Sequence, residues 1–201
     1  MPAWLWIFVI LGGGLFAVKM TYVLCTAMVL PATQGATFVS TSRKRISSFM
    51  DAVPMETEQL LVDIGCGDGR ALRMAQKRYG VRAVGYELNL LAYLKARLQC
   101  LGIKGVEIRR SNFWRIDLSG ADVVFCYLFP DVMKALSEKL RSELQPGSIV
   151  VSCNFALPGF CPTRVLRPDG TLHNDPIYIY RMGETVSAAE KKAVNGHCRF
   201  S

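Results

Sequence analysis

The stretch LLVDIGCGDGRAL, residues 60–72, combines a short apolar run with three glycines and two aspartates. The apolar run predicts a β-strand, and the apolar periodicity that follows the glycines predicts a helix. Glycines let a ligand approach the backbone closely, and the first turn of a helix offers free N–H groups. The stretch therefore predicts a ligand-binding turn between a strand and a helix.

Strand and helix patterns alternate after this turn. Apolar runs predict strands at 60–65, 82–88, 106–111, 121–128 and 148–155, amphipathic segments predict helices at 69–80, 90–102 and 131–144, and turn signals flanking the β-rich residues 177–182 predict a terminal hairpin. Such alternation is typical of an α/β protein whose parallel sheet is covered on both faces. Ligands of such sheets bind at the carboxyl ends of the strands, where the glycine turn lies.

Acidic residues beside the glycines indicate which ligand the turn holds. The nicotinamide fingerprint Gly-x-Gly-x-x-Gly is broken, because Arg70 occupies the place of its third glycine. Asp63 and Asp68 also put negative charge where a pyrophosphate would sit. S-adenosylmethionine carries an ammonium, a sulfonium and a ribose but no phosphate. Glu87, about 20 residues past the first glycine, ends the next strand and is placed to accept both ribose hydroxyls.

Five segments resemble the class I (seven-strand) methyltransferases that use S-adenosylmethionine. They are VDIGCGDGR (62–70), AVGYELN (83–89), SNFWRIDLS (111–119), DVVFCYLFPDVM (122–133) and LQPGSIVVSCNFALPG (144–159). More narrowly, residues 35–182 are similar to the small membrane-anchored protein-lysine methyltransferases that act on the c-ring protein of ATP synthase and on the adenine nucleotide translocase, and to their prokaryotic relatives. The resemblance implies an α/β, Rossmann-like seven-strand sheet with a terminal reversed hairpin, and S-adenosylmethionine as methyl donor.

The resemblance also implies which residues hold the cofactor. The first motif of the family wraps the methionine moiety, and it is matched by Asp63, Gly65, Gly67 and Gly69. Glu87 matches the acid that binds the ribose. Asn112 stands where many members carry an aspartate that contacts the adenine amino group, and its side-chain carbonyl can still accept that hydrogen bond. Phe113 follows it and is expected either to flank the adenine or to pack in the core.

The end of the fourth predicted strand, CYLFP (126–130), is the expected meeting point of methyl group and acceptor. It lacks the Asp/Asn-Pro-Pro-Tyr/Phe sequence of many methyltransferases of small amines or nucleobases. We expect Tyr127 and Phe129 to be the catalytic residues, lining an aromatic channel for a neutral lysine amine, because methyl transfer needs alignment and desolvation more than acid–base power. A buried Tyr127 that is hydrogen-bonded elsewhere is the alternative.

The amino terminus is an apolar segment. Residues 3–18 carry no charge, and beyond Lys19 the apolar character continues to Leu30, which is long enough to span a bilayer. No basic residue precedes the segment, which disfavours a signal peptide, and its unbroken hydrophobicity favours a membrane anchor over a buried core helix. The basic residues 43–45 follow it closely, so the positive-inside rule predicts a domain on the cytoplasmic side.

The chain is thus expected to comprise four parts. They are a membrane anchor helix at 1–30, a linker with a first amphipathic helix at 31–58, the methyltransferase domain at 59–182 and a polar tail at 183–201. We expect a single-pass protein of a bacterial inner membrane, or of the mitochondrial inner membrane in a eukaryote. Its seven cysteines contain no CxxC pair, which predicts a reducing compartment with neither disulfides nor a metal site.

The net charge of +8 suits a surface near anionic headgroups as well as it suits nucleic acid. Basic residues are spread over several predicted helices, so we expect no nucleic-acid partner. The leading hypothesis is methylation of a lysine on a membrane protein. Two alternatives remain: methylation of a lipid or quinone-like molecule, and a non-catalytic assembly module that has kept the fold.

Overall fold

The computed structural model describes residues 2–29, 41–168 and 175–184. The helices are α1 (Ala3–Val29), α2 (Arg43–Ala52), α3 (Arg70–Tyr79), α4 (Leu90–Cys100) and α5 (Met133–Glu143), and the strands are β1 (Leu60–Ile64), β2 (Arg82–Tyr86), β3 (Val106–Arg109), β4 (Val123–Cys126), β5 (Ile149–Cys153), β6 (Arg164–Leu166) and β7 (Ile177–Arg181). Two short 3-10 turns cover Phe113–Arg115 and Pro130–Val132. Residues 31–40 of the predicted linker and residues 185–201 of the predicted polar tail lie outside the described residues.

The strands form one seven-stranded sheet in the order β3-β2-β1-β4-β5-β7-β6. Strands β1 to β5 pair in parallel, whereas β7 runs antiparallel to both β5 and β6. The order reverses at β1, so the carboxyl ends of β1 and β4 form the switch point at which such sheets bind ligands. The predicted α/β sheet with a terminal hairpin is confirmed.

Helices cover both faces of the sheet. On one face, α2, α3 and α4 bury a cluster in which the ring of Phe49 stacks on that of Phe125, with 4.8 Å between the ring centroids. On the other face, α5 packs Leu136 and Leu140, both fully buried, against β4 and β5. The two apolar layers fix the strand ends in space and thereby position the loops that follow them.

Several strands are shorter than the apolar runs predict. The second strand ends at Tyr86 and not at residue 88, and the fifth ends at Cys153 and not at residue 155. The amides of the next residues, Glu87 and Asn154, still donate to the neighbouring chain, but their side chains make hydrogen bonds to other segments of the site. Apolar periodicity cannot mark this change, because it depends on partners distant in the sequence.

Helix α1 is continuous from Ala3 to Val29, and its stretch Trp4–Leu24 has the length and apolar composition to cross a bilayer. Its large side chains are exposed, among them Phe8 at 67% and Leu15 at 73%. Helix α1 also contacts α4.

The prediction that every cysteine is reduced was wrong at one position. Cys66, Cys100, Cys126 and Cys153 are free and buried, but Cys161 is disulfide-bonded. Cys161 is half-buried in the loop between β5 and β6, where a second thiol can reach it, whereas the core encloses the four free thiols.

Candidate cofactor and acceptor site

The glycine turn is held against the end of β2. The amides of Gly65 and Cys66 both donate to the carbonyl of Tyr86, at 2.9 and 3.1 Å. Gly69 ends the turn with φ +69°, and a Cβ there would lie 2.9 Å from Sγ of Cys100. Only glycine fits that position, because a side chain would both strain the backbone and strike α4. The turn is therefore held in one conformation, and its glycines leave the backbone accessible to a ligand.

Glu87 is fixed beside this turn. Its carboxylate is 6% exposed; Oε2 accepts the amide N–H of Gly67 at 3.0 Å, and Oε1 accepts the amide N–H of Asn89 at 2.8 Å. Burial raises the pKa of Glu87, and these backbone hydrogen bonds partly offset the rise. Each oxygen has a further lone pair. The carboxylate can therefore accept two more donors, as a ribose diol would supply.

Asp63 at the end of β1 is in a different state. It is 3% exposed, and no hydrogen bond offsets the effect of burial on its pKa. Burial raises the pKa of Asp63 well above its usual value, and the charges of Glu87 and Asp68 raise it further. Asp68 differs, since it accepts the amide and the guanidinium of Arg70 at 3.2 and 3.1 Å. A buried carboxylate beside a glycine turn is suited to a cationic ligand.

The predicted adenine contacts lie at the end of β3. Oδ1 of Asn112 accepts the amide of Trp114 at 3.0 Å and so caps the 3-10 turn. Phe113 is 4% exposed and belongs to the core layer on the α5 face of the sheet. Its packing in the core agrees with the second of the two alternatives. Whether either residue borders an adenine stays a prediction.

Tyr127 follows β4 and takes part in a network that links three segments. Its hydroxyl oxygen accepts from Nδ2 of Asn154 at 2.9 Å, and the guanidinium carbon of Arg45 lies 5.1 Å from its ring centroid. Arg45 donates to Oδ1 of Asn154 and, at 3.5 Å, to Asp175. Because arginine only donates, the oxygen of Asn154 must face Arg45 and its NH₂ must face Tyr127. The hydroxyl orientation of Tyr127 is thus set by residues from α2 and β5.

Two members of this network escaped the sequence analysis. Arg45 was counted with the basic residues after the anchor, but it is only 5% exposed, and its Nε is buried without a partner among the described residues. Asn154 directly follows β5 and has φ +70°, which no other non-glycine residue in the described part of the chain shares. The place of Asn154 after the fifth strand could have marked it. Nothing local marks Arg45.

Phe129 is half-buried and precedes the 3-10 turn Pro130–Val132. Its carbonyl accepts the amide of Val132 at 3.3 Å, which makes its backbone part of the loop that follows β4. Its side chain stays a predicted element of the acceptor channel. Within residues 2–29, 41–168 and 175–184, no group of His, Cys, Asp and Glu could hold a metal ion.

The site has two halves, a cofactor half at the glycine turn and an acceptor half at the end of β4, and the register of the strands brings them together. Ile64 of β1 pairs with Tyr86 of β2 on one side and with Cys126 of β4 on the other. The next residues along these strands, Gly65, Glu87 and Tyr127, therefore emerge side by side at one edge of the sheet. A ligand bound in the glycine turn would therefore lie close to a second molecule bound beside Tyr127.

Residues 63–164 match the ANTKMT methyltransferase domain family. A protein-lysine N-methyltransferase of Saccharolobus islandicus is 33% identical over 151 residues, which cover 73% of this chain and 94% of that protein. A lysine N-methyltransferase of Xenopus laevis that is named for the c-ring protein of ATP synthase is 30% identical over 195 residues, covering 94% of this chain and 82% of the relative.

A solved structure is also similar. The crystal structure of an RNA methyltransferase from Salinibacter ruber, in complex with S-adenosyl-L-homocysteine, has a TM-score of 0.67 and 29% sequence identity, covering 75% of this chain and 97% of that chain. That protein holds the demethylated form of the cofactor. The match extends over the sheet and its helices, so the two chains share a fold.

Proposed function

The chain belongs to the ANTKMT methyltransferase domain family and is an S-adenosylmethionine-dependent protein-lysine N-methyltransferase, and from this premise we propose that it methylates a lysine of a membrane protein while anchored in the bilayer. The carrying observation is that Glu87 and the buried Asp63 share one sheet edge with Tyr127. This arrangement supports a site in which a cationic, ribose-bearing ligand lies beside aromatic residues that receive the acceptor.

The residues of the cofactor half fit S-adenosylmethionine. The carboxylate of Asp63 balances the ammonium of its methionine part, Glu87 accepts the ribose hydroxyls, and the turn Gly65–Gly69 lets the backbone approach. Asn112 contacts the adenine through its side chain, and Phe113 packs in the core behind it. When bound, the cofactor supplies a methyl group activated by a sulfonium. The protein holds that methyl group at the end of β4 and keeps water from it.

The acceptor half positions a neutral amine. A lysine ammonium has no lone pair, and lysine in water has a pKa of about 10.4, so the site must favour the deprotonated form. The guanidinium of Arg45 acts in that direction, because a like charge nearby disfavours the ammonium. Tyr127, held by Asn154, orients the amine through its hydroxyl, and Phe129 excludes water. These residues align the amine in line with the methyl group.

The membrane assignment rests on α1 and on the relatives. Trp4–Leu24 is long and apolar enough to span a bilayer, and the exposed Arg43 and Lys44 follow it. The positive-inside rule then puts the catalytic domain on the cytoplasmic or matrix side. The relative of Xenopus laevis is named for a component of ATP synthase, which supports a membrane protein as acceptor. In this proposal residues 1–30 anchor the chain and residues 59–182 carry catalysis.

The experiment compares possible acceptors directly. Membranes from a strain that lacks this chain are incubated with full-length enzyme in detergent and with a labelled methyl donor. The label is then traced into protein, lipid and RNA fractions, with Glu87→Ala as the inactive control. We expect label on a lysine of a membrane protein, located by mass spectrometry. Label confined to lipid or to RNA would replace the membrane-protein acceptor, and no label in any fraction would favour an assembly role.

A further inference from the structure

Helix α4 presents an apolar face that is largely exposed. Outside α1, the exposed large hydrophobic side chains of the described chain all lie on or directly after α4: Leu90 at 37%, Leu94 at 46%, Leu98 at 74% and Leu101 at 78%. Their spacing of three and four residues puts them on one side of the helix. The opposite side, with Ala96 and Cys100, is buried against the sheet. We call these four residues the leucine stripe.

The charged residues of α4 and of the loop that follows it are all basic, and one of them, Lys95, lies 3.9 Å from the carboxylate of Asp68. From Leu88 to Val106 the chain carries Lys95, Arg97 and Lys104 but no acidic residue. All three basic side chains are exposed. A helix with an apolar face bordered by basic residues is the pattern of a surface that lies on anionic lipid, where leucines enter the acyl boundary and cations meet headgroups. A protein partner of the same stripe would need no such uniform charge.

The leucine stripe also borders the two features that the proposed function uses. Helix α1, the candidate membrane span, contacts α4. The same helix also contacts the cofactor site. Its N-cap residue is Asn89, and the amide of Asn89 donates to the carboxylate of Glu87. One helix therefore connects the anchor to the edge of the sheet where the methyl group is held.

We propose that the leucine stripe is a second membrane contact, by which α4 lies on the anionic face of the bilayer beside α1. This contact fixes the orientation of the domain and holds the acceptor site at headgroup level. The acceptor class is then narrower than a membrane protein in general: it is a lysine located in the interfacial region. This inference rests on the proposed function for its substrate, but the lipid contact itself can be measured without any activity.

The contact is tested first by depth. Full-length Leu98→Trp is reconstituted into vesicles of phosphatidylcholine and phosphatidylglycerol whose acyl chains are brominated, and quenching of the added fluorescence is compared with that of Lys134→Trp on α5. We expect strong quenching for the α4 variant and little for the α5 variant. Equal quenching for the two variants would overturn the proposal.

The functional consequence is tested with Leu98→Gln/Leu101→Gln, against the matched exposed pair Lys134→Gln/Glu138→Gln on α5. We expect the α4 variant to lose roughly 10-fold in methyl transfer to a lysine peptide embedded in anionic vesicles, the effect of two leucines leaving the interface. Transfer to a soluble lysine peptide and cofactor affinity stay unchanged. Undiminished transfer in vesicles would overturn the contact while the lysine activity stands.

A second copy of the chain is the competing occupant of the leucine stripe. Light scattering of both variants in detergent distinguishes it. If the wild type is a dimer and Leu98→Gln/Leu101→Gln is a monomer, the stripe is a self-interface and the lipid contact is wrong. If neither peptide is methylated by the wild type, the lysine acceptor fails, and the quenching experiment still decides the lipid contact.

Discussion

The two halves of the site are built in opposite ways. The core of the cofactor half comes from one short length of chain, in which the glycine turn makes hydrogen bonds to Tyr86 and Glu87 at the end of the next strand. The acceptor half joins α2 to the ends of β4 and β5, with Arg45 and Asn154 separated by 109 residues and Arg45 and Asp175 by 130. Cofactor binding is therefore a property of a local motif, whereas the acceptor wall exists only once the sheet is assembled.

The halves also differ in how their polar groups are satisfied. Burial and the charges of Glu87 and Asp68 disfavour the ionised form of Asp63 in the cofactor half, so a bound cation would stabilise that carboxylate. The amide of Asn154 in the acceptor half is hydrogen-bonded on both sides, to Arg45 and to Tyr127. A bound ligand would therefore complete the polar contacts of the cofactor half, whereas the protein itself supplies the hydrogen bonds that position the acceptor half. Substitutions in the two halves should consequently separate affinity from rate.

The largest effect is expected at Glu87. Glu87→Ala removes an acceptor of two charge-assisted hydrogen bonds to the ribose, so the affinity for S-adenosylmethionine should fall by about 2–3 kcal/mol. Glu107→Ala, which removes an exposed carboxylate of β3, is the control and should leave affinity unchanged. Calorimetry measures both. A folded Glu87→Ala protein with wild-type affinity would remove Glu87 from the cofactor half.

Tyr127 should affect rate and not affinity. Tyr127→Phe loses the hydroxyl that orients the amine, and we expect methyl transfer to slow by about 10- to 100-fold while cofactor affinity stays the same. Tyr93→Phe on α4, which loses a hydroxyl bonded to Arg97, is the matched control. Single-turnover transfer followed by mass spectrometry gives the rates. Equal rates for Tyr127→Phe and wild type would exclude Tyr127 from the acceptor half.

A smaller effect on rate is expected at Asn154. Asn154→Gly keeps a backbone that tolerates φ +70° but removes the hydrogen bond to Tyr127, so transfer should slow by about 5- to 10-fold. Because Asn154 acts through Tyr127, adding Tyr127→Phe should cost no more than Tyr127→Phe alone. Additive losses would mean that Asn154 acts independently. Asn154→Ala should in addition lower stability, since alanine is strained at this φ.

The smallest effect concerns stability. The raised pKa of Asp63 means that its contribution to stability is present below the usual carboxyl pKa and is lost as the pH rises through the folded-state pKa. Asparagine does not ionise, so Asp63→Asn avoids this loss of stability. The cofactor-free variant should melt about 2–4 °C higher than the wild type near neutral pH, which corresponds to a gain of about 1 kcal/mol in the free energy of unfolding.

Two further measurements make the Asp63 prediction specific. The difference in melting temperature between Asp63→Asn and wild type should shrink as the pH falls towards the usual carboxyl range, because the wild-type side chain is then protonated. The same variant should bind S-adenosylmethionine more weakly, since no anion balances its ammonium. Calorimetry and thermal unfolding in detergent follow both. A variant that is less stable at every pH would show that Asp63 has a structural partner.

Local sequence predicted the elements whose signals are local. The glycine turn, the alternation of strands and helices and the terminal hairpin are present where the apolar runs and turn residues indicated, because each depends on neighbours within a few residues. Strand ends were less well predicted, as at Tyr86, because hydrogen bonds to other strands decide where a ladder stops. Cys161 was misjudged for the same reason, since pairing of thiols depends on spatial proximity.

By itself, the sequence determined the fold class and the methyl donor, and the spacing along one strand–turn–helix unit led to the prediction that Asp63 and Glu87 bind that donor. Only the tertiary structure showed that Arg45, unlike the two basic residues before it, is buried against the ring of Tyr127. It also showed that Asn154 makes hydrogen bonds to both of these side chains. The exposed face of α4 was equally hidden, because leucines at helical spacing look the same whether they face a core or a bilayer. Burial is a property of the assembled layers, and no local pattern encodes which face of a helix they cover.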